Sequence, residues 1–334
     1  MTPIASSTAE AGVPDVAVVV AFYKPVIADA ARQLESLRGQ TNVSLRIIAV
    51  LDGPETVADE ELGKLLALYQ CRIVTLPEQH GVRRAFAAGL AAALTEPAGL
   101  FAYCDQDDVW DAAKLERTCA ALQASGAMLV HCDARVITDE HRVIAPSLYR
   151  YESRREPADL LGMLLLNTVT GMTAVFTRAV AEAAVPLCAK FTGQLLLHDH
   201  LTAVAAASLG RVIFVDDALL DYVQHGTNQI GARPHVPRRS RLLGTDHLAA
   251  YRRTSARMFH ERRDVALLLA TQGLLPWSLR TMFVTAERRN VPVLAFNFAV
   301  AIIKLLLRGE GRRAMLALRM FDAGIFFRPG GPVG

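Results

Sequence analysis

The sequence lacks paired cysteines, a secretory leader and a strong net charge. Its five cysteines form no CxxC pair and follow no regular spacing, which excludes a disulfide framework and favours buried thiols in a reducing compartment. Residues 1–14 contain no basic start followed by an apolar stretch, so we expect the protein to remain in the cytoplasm. The net charge is only +3, and no nucleic-acid motif accompanies the basic residues, so no nucleic-acid partner is expected.

A long apolar run is also missing. The most apolar stretch, residues 293–307, contains Asn297 and Lys304 and is shorter than the roughly twenty residues that cross a bilayer. Basic residues flank this stretch, and two interpretations stay open. It forms either an interfacial helix on the inner face of the cytoplasmic membrane or an amphipathic helix packed on the catalytic domain.

What the chain does have is an alternation of apolar, β-branched runs with segments of helical periodicity. The runs lie at residues 16–22, 45–51, 71–76, 100–104 and 128–132, and the helical segments at 26–37, 60–69, 84–94 and 114–123. This alternation predicts an α/β domain with a mostly parallel sheet flanked by helices. Ligands of such sheets bind beyond the carboxyl ends of the strands, so we look for chemistry there.

The later part of the chain divides further. Helices are predicted at 157–166 and 199–209, and strands at 173–177, 211–215 and 219–225. A linker is predicted at 233–241, where two prolines lie among basic residues, and the pattern from there to residue 327 is helical. We therefore expect a disordered N-terminus at 1–14, a catalytic domain at 15–232, a basic, amphipathic helical region at 233–328 and a flexible tail at 329–334.

The strongest chemical signal is an acidic cluster at the end of a predicted buried strand, Asp105-Gln106-Asp107-Asp108-Val109-Trp110. Three carboxylates in four residues repel one another unless a cation lies among them. Residues two apart on extended backbone point the same way, so Asp105 and Asp107 can share a metal while Asp108 turns elsewhere. The alternative is a solvated acidic turn that caps the following helix.

A second signal is His198-Asp199-His200 at the start of a predicted helix. Asp199 is either an N-cap or a general base between two imidazoles. A third signal is the sequence 222–228, in which Gln224, His225 and Asn228 follow a strand and are candidates for contacting phosphate or metal.

Weaker signals lie earlier in the chain. Asp52 ends the second predicted strand, where a carboxylate can accept from a nucleotide base or ribose. Arg83 and Arg84 precede the third helix, where basic groups suit a diphosphate.

Taken in order, these motifs resemble the family 2 glycosyltransferases, and in particular their bacterial rhamnosyltransferase-like members. The resemblance runs from about residue 16 to 231. It rests on Phe22-Tyr23, Asp52-Gly53, Gly81-Val82-Arg83-Arg84-Ala85-Phe86, the acidic cluster with Trp110 and Lys114-Leu115, Thr170-Gly171-Met172, His198-Asp199, and Tyr222-Val223-Gln224-His225 with Asn228.

The resemblance implies a nucleotide-diphospho-sugar transferase (GT-A-like) fold and a DxD metal site for Mg²⁺ or Mn²⁺ on Asp105 and Asp107, with His225 as a further ligand. It implies Asp199 as the catalytic base of an inverting transfer. The implied donor is dTDP-rhamnose or a UDP-sugar, and the implied acceptor is a saccharide or lipid-linked molecule of cell-surface polysaccharide synthesis. Nucleotide-sugar contacts are expected from Phe22, Tyr23, Asp52, Arg83, Arg84, Asp105, Gln106 and Asp107, and the acceptor and donor pocket from Asp108, Trp110, Gly171, His198, His200, Gln224 and Asn228.

Two other functions fit the same acids. A metal-dependent nucleotidyltransferase would also place carboxylates at strand ends, and it predicts release of pyrophosphate. A non-catalytic, membrane-associated binding module would use these acids only as helix caps, and it predicts no metal-dependent nucleotide binding.

Overall fold

The computed structural model describes residues 13–157, 159–224, 232, 245–284 and 291–326. Its first half alternates strands and helices as predicted. The strands are β1 (Asp15–Phe22), β2 (Ser44–Asp52), β3 (Arg72–Leu76) and β4 (Leu100–Cys104), and the helices are α1 (Ile27–Arg38), α2 (Pro54–Val57), α3 (Glu60–Leu68) and α4 (Val82–Ala93). These four strands pair in parallel in the order β3-β2-β1-β4. β2 and β3 are added on one side of β1, whereas β4 is added on the other side, so the strand order reverses between β1 and β4. Open α/β sheets bind ligands at such a reversal.

The second half extends the same sheet with mixed strand directions. Its elements are β5 (Val109–Trp110), α5 (Lys114–Ser125), β6 (Leu129–Thr138), β7 (Val143–Ala145), α6 (Leu148–Tyr151), α7 (Leu160–Leu165), a 3₁₀ turn (Gly171–Thr173), β8 (Ala174–Thr177), α8 (Arg178–Lys190), α9 (His198–Leu209) and β9 (Val212–Gln224). The sheet continues from β4 as β8-β6-β9-β5, with β7 beside β6. β8 runs antiparallel to both β4 and β6, so this half is mixed where the sequence predicted a mostly parallel sheet.

The side chains of β1 point alternately to the two faces of the sheet, and each face carries its own apolar layer. Val16, Val18 and Val20 are buried on one face of the sheet, whereas Ala17 and Val19 are buried on the other. Both faces are covered because helices pack on each side, which is why the strands read as continuous apolar runs. The sheet edge at the carboxyl ends of β1, β2 and β4 is left for polar side chains.

Four helices follow: α10 (Thr245–Thr271), α11 (Trp277–Val284), α12 (Val291–Leu307) and α13 (Gly311–Phe326). Phe259 and Phe298 belong to the same apolar core as Phe101 of β4. The carboxylate of Glu261 accepts the backbone N–H groups of Gln194 and Leu195 at 2.9 and 2.7 Å. The helical region therefore packs on the α/β domain. Within the described ranges no helix is long and apolar enough to cross a membrane.

The largest differences from the sequence prediction concern α8 and β9, and the short elements α2, α6, β5 and β7 were not predicted either. α8 was not predicted, and β9 is one continuous strand where two strands were expected. The parallel pairing of β9 with β6 is interrupted at residues 216 and 217 and resumes at Ala218, which pairs with Asp133, so the two predicted strands form one. The predicted linker at 233–241, the N-terminal residues 1–12 and the tail at 329–334 lie outside the described residues.

Candidate functional site

A cavity of about 1780 Å³ opens at the carboxyl edge of β1, β2 and β4. Phe22 at the end of β1 and Tyr23 just after it line the cavity, as do Asp52 at the end of β2 and Asp105, Gln106 and Asp107 after β4. Gly171, His198, Asp199 and His200 line the same cavity from the second half of the chain. The fold therefore gathers most of the predicted site residues around one cavity.

Three carboxylates act on one another in this cavity. Burial first, and then the negative charges of Asp107 and of Asp199, together raise the pKa of Asp105 to about 7. This shift means that ionised Asp105 is unfavourable without a nearby cation. Among the described residues, no three His, Cys, Asp or Glu side chains are grouped as a complete set of metal ligands. His225, the predicted third ligand, lies outside those residues.

Asp108 and Trp110 were predicted to line the pocket, but both lie in the core beside the acidic turn. Their exposed fractions are 0% and 3%, and neither borders the cavity. Residues 105–108 form a turn in which Asp105, Gln106 and Asp107 all line the cavity, while Asp108 is buried behind them. The buried ammonium of Lys114 lies 3.3 Å from the centroid of the Trp110 ring, a cation–π contact that braces the turn.

Asp199 lies in the first turn of α9, whose N-cap residue is Leu197, so it is not the N-cap. Its Oδ1 accepts the backbone N–H of His200 at 2.6 Å, and the backbone of Gly171 also hydrogen-bonds its carboxylate. Burial raises the pKa of Asp199 to about 6, and these hydrogen bonds and the charge of Arg154 oppose the increase. A carboxylate held in this way is oriented and titrates close to neutral pH, as a general base requires.

The two histidines beside Asp199 have different surroundings. The ring of His198 stacks on Phe86 with centroids 3.9 Å apart, and its two nitrogens have no hydrogen-bond partner among the described residues. The Nε2 of His200 lies 2.8 Å from the carbonyl of Met163. Burial lowers the pKa of both imidazoles to about 3, so both are neutral. His198 keeps its hydrogen-bonding capacity, whereas His200 uses one nitrogen to tie α9 to α7.

The loop after β1 is fixed by the acidic turn. The side-chain Oε1 of Gln106 accepts the backbone N–H of Tyr23 at 2.9 Å, and its amide group donates to the Tyr23 carbonyl at 3.4 Å. Gln106 therefore sets the distance between the ends of β1 and β4. Tyr23 is 40% exposed and lines the cavity, so its ring is available to a ligand.

Asp52 is buried and holds the turn before α4. Its two oxygens accept the backbone N–H groups of His80 and Gly81 at 2.7 and 2.8 Å. Gly81 has a φ of 80°, in the left-handed region that favours glycine. Asp52 thus shapes the wall of the cavity, and its remaining lone pairs are the groups that a ligand can use.

Arg83 and Arg84 were predicted to contact the donor, but neither lines the cavity. The guanidinium of Arg83 donates to the carbonyls of Gly193 and Phe191 at 2.5 and 2.9 Å and anchors the loop before α9. Arg84 is exposed on α4. In the structure Arg83 is engaged by backbone carbonyls of the loop before α9, and the expected diphosphate contact of Arg83 and Arg84 finds no support in the lining of the cavity.

β9 brings the last predicted element to the cavity. Tyr222 lines it, and Gln224 ends the strand with a buried Oε1 that has no partner within the described part of the chain. His225 and Asn228, which were predicted to contact phosphate or metal, lie outside the described residues.

The sequence did not predict that arginines would border this site. Arg154 and Arg155 line the cavity from the segment after α6, and Arg262, Arg312 and Arg313 line it from α10 and α13. The basic character of the C-terminal third was visible in the sequence. Only the packing of the helices on the catalytic domain shows that part of this charge faces the cavity.

The family model described as glycosyl transferase family 2 matches residues 17–184, about half of the 334 residues. No curated protein matches the chain. Among solved structures, the chain is similar to S. aureus TarS 1–349 with 11% identity and a TM-score of 0.49, over 88% of this chain and 92% of that chain. The same fragment in complex with UDP-GlcNAc gives 13% identity and a TM-score of 0.48, over 93% and 89%.

The family match agrees with the architecture of the sheet. Residues 17–184 contain the parallel strands β1–β4 and the acidic turn after β4. The GT-A-like α/β fold with C-terminal helices, expected from the sequence, is therefore confirmed. The chain belongs to glycosyl transferase family 2 and is a glycosyltransferase.

Proposed function

We propose that the protein is a metal-dependent, inverting glycosyltransferase that moves a sugar from a nucleoside-diphosphate donor to a saccharide or lipid-linked acceptor in cell-surface polysaccharide synthesis. The observation that carries this proposal is that Asp105, Asp107 and Asp199 border one cavity at the carboxyl edge of the sheet. Membership of a glycosyltransferase family favours this function over a nucleotidyltransferase or a non-catalytic module.

The acidic pair would hold a divalent cation, Mg²⁺ or Mn²⁺. Carboxylate oxygens are the ligands that such hard cations prefer. The raised pKa of Asp105, caused by burial and by neighbouring carboxylates, supports the fit because a cation would relieve both penalties. When bound, the cation supplies Lewis-acid stabilisation to the leaving diphosphate. Asp105 and Asp107 supply the negative charge that keeps it in place, and His225 is proposed as a further ligand.

Donor binding is assigned to the ends of β1, β2 and β4. The exposed ring of Tyr23 can stack on the nucleotide base, and Phe22 supports it from the core. Asp52 can accept one hydrogen bond from base or ribose while it holds the turn at Gly81. Gln106 couples this loop to the acidic pair, so the base and the diphosphate are bound by connected segments.

Asp199 is assigned the proton transfer. Its carboxylate accepts the proton of the acceptor hydroxyl while that oxygen attacks the anomeric carbon from the face opposite the diphosphate. The new carbon–oxygen bond forms as the bond to the diphosphate breaks, and one displacement inverts the configuration. The hydrogen bonds from His200 and Gly171 orient the carboxylate for this step.

The donor is tested first. Nucleotide sugars, including dTDP-rhamnose and UDP-sugars, are incubated with the protein and Mg²⁺ or Mn²⁺, and release of the nucleoside diphosphate is measured. We expect release with one donor class that disappears in EDTA. Release of pyrophosphate in place of the nucleoside diphosphate would assign a nucleotidyltransferase.

The base is tested with Asp199→Asn, which keeps the shape and removes the proton acceptor. A general base contributes about two to four orders of magnitude in rate, so transfer should fall by that factor while donor affinity stays unchanged. Asp139→Asn, in an exposed turn, is the matched control. Near-normal transfer by Asp199→Asn would contradict the assignment.

We also propose peripheral attachment to an anionic membrane surface through α12. Ile303, Leu306 and Leu307 on this helix are 55%, 57% and 84% exposed, and the exposed cation Lys304 lies among them. Apolar side chains beside a lysine suit the interface of anionic lipids. Leu306→Glu/Leu307→Glu should abolish sedimentation with phosphatidylglycerol vesicles, and sedimentation equal to that of the wild type would contradict this attachment.

A further inference from the structure

One end of the cavity is lined by five arginines, which we call the arginine lobe: Arg154, Arg155, Arg262, Arg312 and Arg313. Two carboxylates, Glu152 and Glu310, line the cavity beside them. Positive charge is therefore in excess at this end, whereas the acidic pair and Asp199 make the other end negative. Arg154 donates to the hydroxyl of Thr170, and the backbone of the next residue, Gly171, hydrogen-bonds the Asp199 carboxylate, so the two ends meet at the proposed catalytic base.

The arginine lobe is held mainly by neutral groups. Arg154 donates to the carbonyl of Thr168 at 2.8 Å and to the hydroxyl of Thr170 at 2.7 Å, in addition to its ion pair with Glu152 at 2.9 Å. Arg155 donates to the carbonyl of Gly309 at 2.7 Å. Backbone carbonyls orient a guanidinium without cancelling its charge. These groups are fixed in place and keep the capacity to attract an anion.

Arg262 adds an unsatisfied donor. It lines the cavity although only 7% of it is exposed, and its Nε has no hydrogen-bond partner among the described residues. Its terminal nitrogens donate to the carbonyls of Met258 and Leu165 at 3.3 and 3.2 Å. A buried guanidinium with a free N–H is costly unless an acceptor reaches it. The buried guanidinium of Arg262 therefore adds uncompensated positive charge at the wall of the cavity, where an anion is favoured.

The start of α13 points to the same ligand. This helix of 16 residues begins at Gly311, has no acidic residue in its first turn and has Arg312 and Arg313 there instead. Cations at the positive end of a helix dipole are unfavourable, whereas an anion at that end is favoured. Glu310, just before the helix, is paired with Arg313 at 3.1 Å. Arg312 has only carbonyl contacts at 3.5 Å among its hydrogen bonds and is exposed to the cavity.

We propose that the arginine lobe binds a phosphate group of the acceptor and thereby presents the neighbouring sugar hydroxyl to Asp199. Guanidinium groups from three separate segments, one of them a helix start, suit the several oxygens of a phosphate better than the two oxygens of a carboxylate. The inference rests on the proposed glycosyl transfer and narrows its acceptor to a phosphate-bearing one, whether that phosphate links to a lipid or lies within a polymer. The donor diphosphate is assigned to the acidic end.

The binding test uses full-length protein in EDTA without nucleotide, so that the acidic end contributes nothing. Glycerol 3-phosphate is titrated by calorimetry into the wild type, Arg312→Gln and the control Arg308→Gln. Arg308 lies near Arg312 but pairs with Asp159 and does not line the cavity. We expect glycerol 3-phosphate to bind the wild type and the control equally. Its affinity for Arg312→Gln should be about tenfold weaker, because this variant loses one charge-assisted hydrogen bond.

Three results would overturn the inference. They are no binding of glycerol 3-phosphate to the wild type, an equal loss of affinity in Arg312→Gln and Arg308→Gln, and a tenfold rise of the donor KM in Arg312→Gln. The last result would show that the arginine lobe binds the donor and not the acceptor. A second variant, Arg154→Gln/Arg312→Gln, should abolish binding, and its urea midpoint must match the wild type for the comparison to count. Phosphatidylglycerol vesicles form a separate arm. If they bind through Arg312 and glycerol 3-phosphate does not bind, the arginine lobe is a membrane contact and the acceptor subsite is refuted. Metal-dependent donor hydrolysis by the wild type, measured in parallel, reports on the transferase itself and can fail independently.

Discussion

Asp105→Asn should make the metal-free protein more stable at alkaline pH while it removes activity. Burial and the charges of Asp107 and Asp199 raise the pKa of Asp105 to about 7, from an ordinary value of 3.8. Each pKa unit is worth about 1.4 kcal/mol, so ionised Asp105 costs the folded state at most about 4 kcal/mol. Asparagine keeps the shape of the side chain and removes that cost.

The sign of the pH dependence follows from the same values. Between about pH 4 and pH 7 the unfolded chain has released the Asp105 proton and the folded chain has kept it. Wild-type stability should therefore fall as the pH rises through this range. The stabilising effect of Asp105→Asn should be absent at pH 4 and largest above pH 7.

Urea unfolding at pH 5 and pH 8 in EDTA measures this difference, with Asp139→Asn as the control from an exposed turn. Addition of Mn²⁺ at pH 8 should stabilise the wild type and the control but leave Asp105→Asn unchanged. If Asp105→Asn is no more stable than the wild type at pH 8 without metal, the electrostatic description of the acidic end is wrong.

Three further predictions concern the walls of the cavity. Transfer activity should rise with pH through about 6, where burial has placed the pKa of Asp199, and a pH–rate profile without this acid limb would refute its role as base. Gly171→Ala places a Cβ 2.8 Å from the Nε2 of His198 and should lower kcat about tenfold or more. The control Gly63→Ala, whose Cβ meets nothing within 4 Å, should leave kcat unchanged. Equal rates for the two variants would show that the close approach of Gly171 to His198 is unimportant. Asp52→Ala removes the acceptor of two backbone N–H groups and should lower the free energy of unfolding by about 1–3 kcal/mol. An unchanged urea midpoint would show that Asp52 does not stabilise the turn before α4.

The sequence was sufficient for the features that depend on local periodicity. The first four strands follow continuous apolar runs, and the polar residues that end them, Asp52 and Asp105, must meet at one edge because the strands are parallel. Asp199 could be placed in the first turn of α9 for the same reason. The resemblance to family 2 added the order of the motifs, and the family match confirms that membership.

The remaining features depend on contacts between distant segments. Arg83 bonds to carbonyls more than a hundred residues away in the chain, and no local pattern distinguishes that anchor from a phosphate contact. α8 contains Pro186, which ordinarily marks a helix end, yet packing of its apolar face stabilises the helix across it. Arg262 and Arg313 reach the cavity only because α10 and α13 fold back on the catalytic domain.

The central claim is that Asp105 and Asp107 hold a divalent cation that binds the diphosphate of a nucleotide. Calorimetric titration of UDP and of dTDP tests it most directly, with wild type in Mn²⁺, wild type in EDTA, and Asp107→Asn in Mn²⁺. We predict binding of at least one nucleotide only by the wild type in Mn²⁺, with the fold of Asp107→Asn intact by circular dichroism. Equal nucleotide affinity in EDTA, or in Asp107→Asn, would contradict the account.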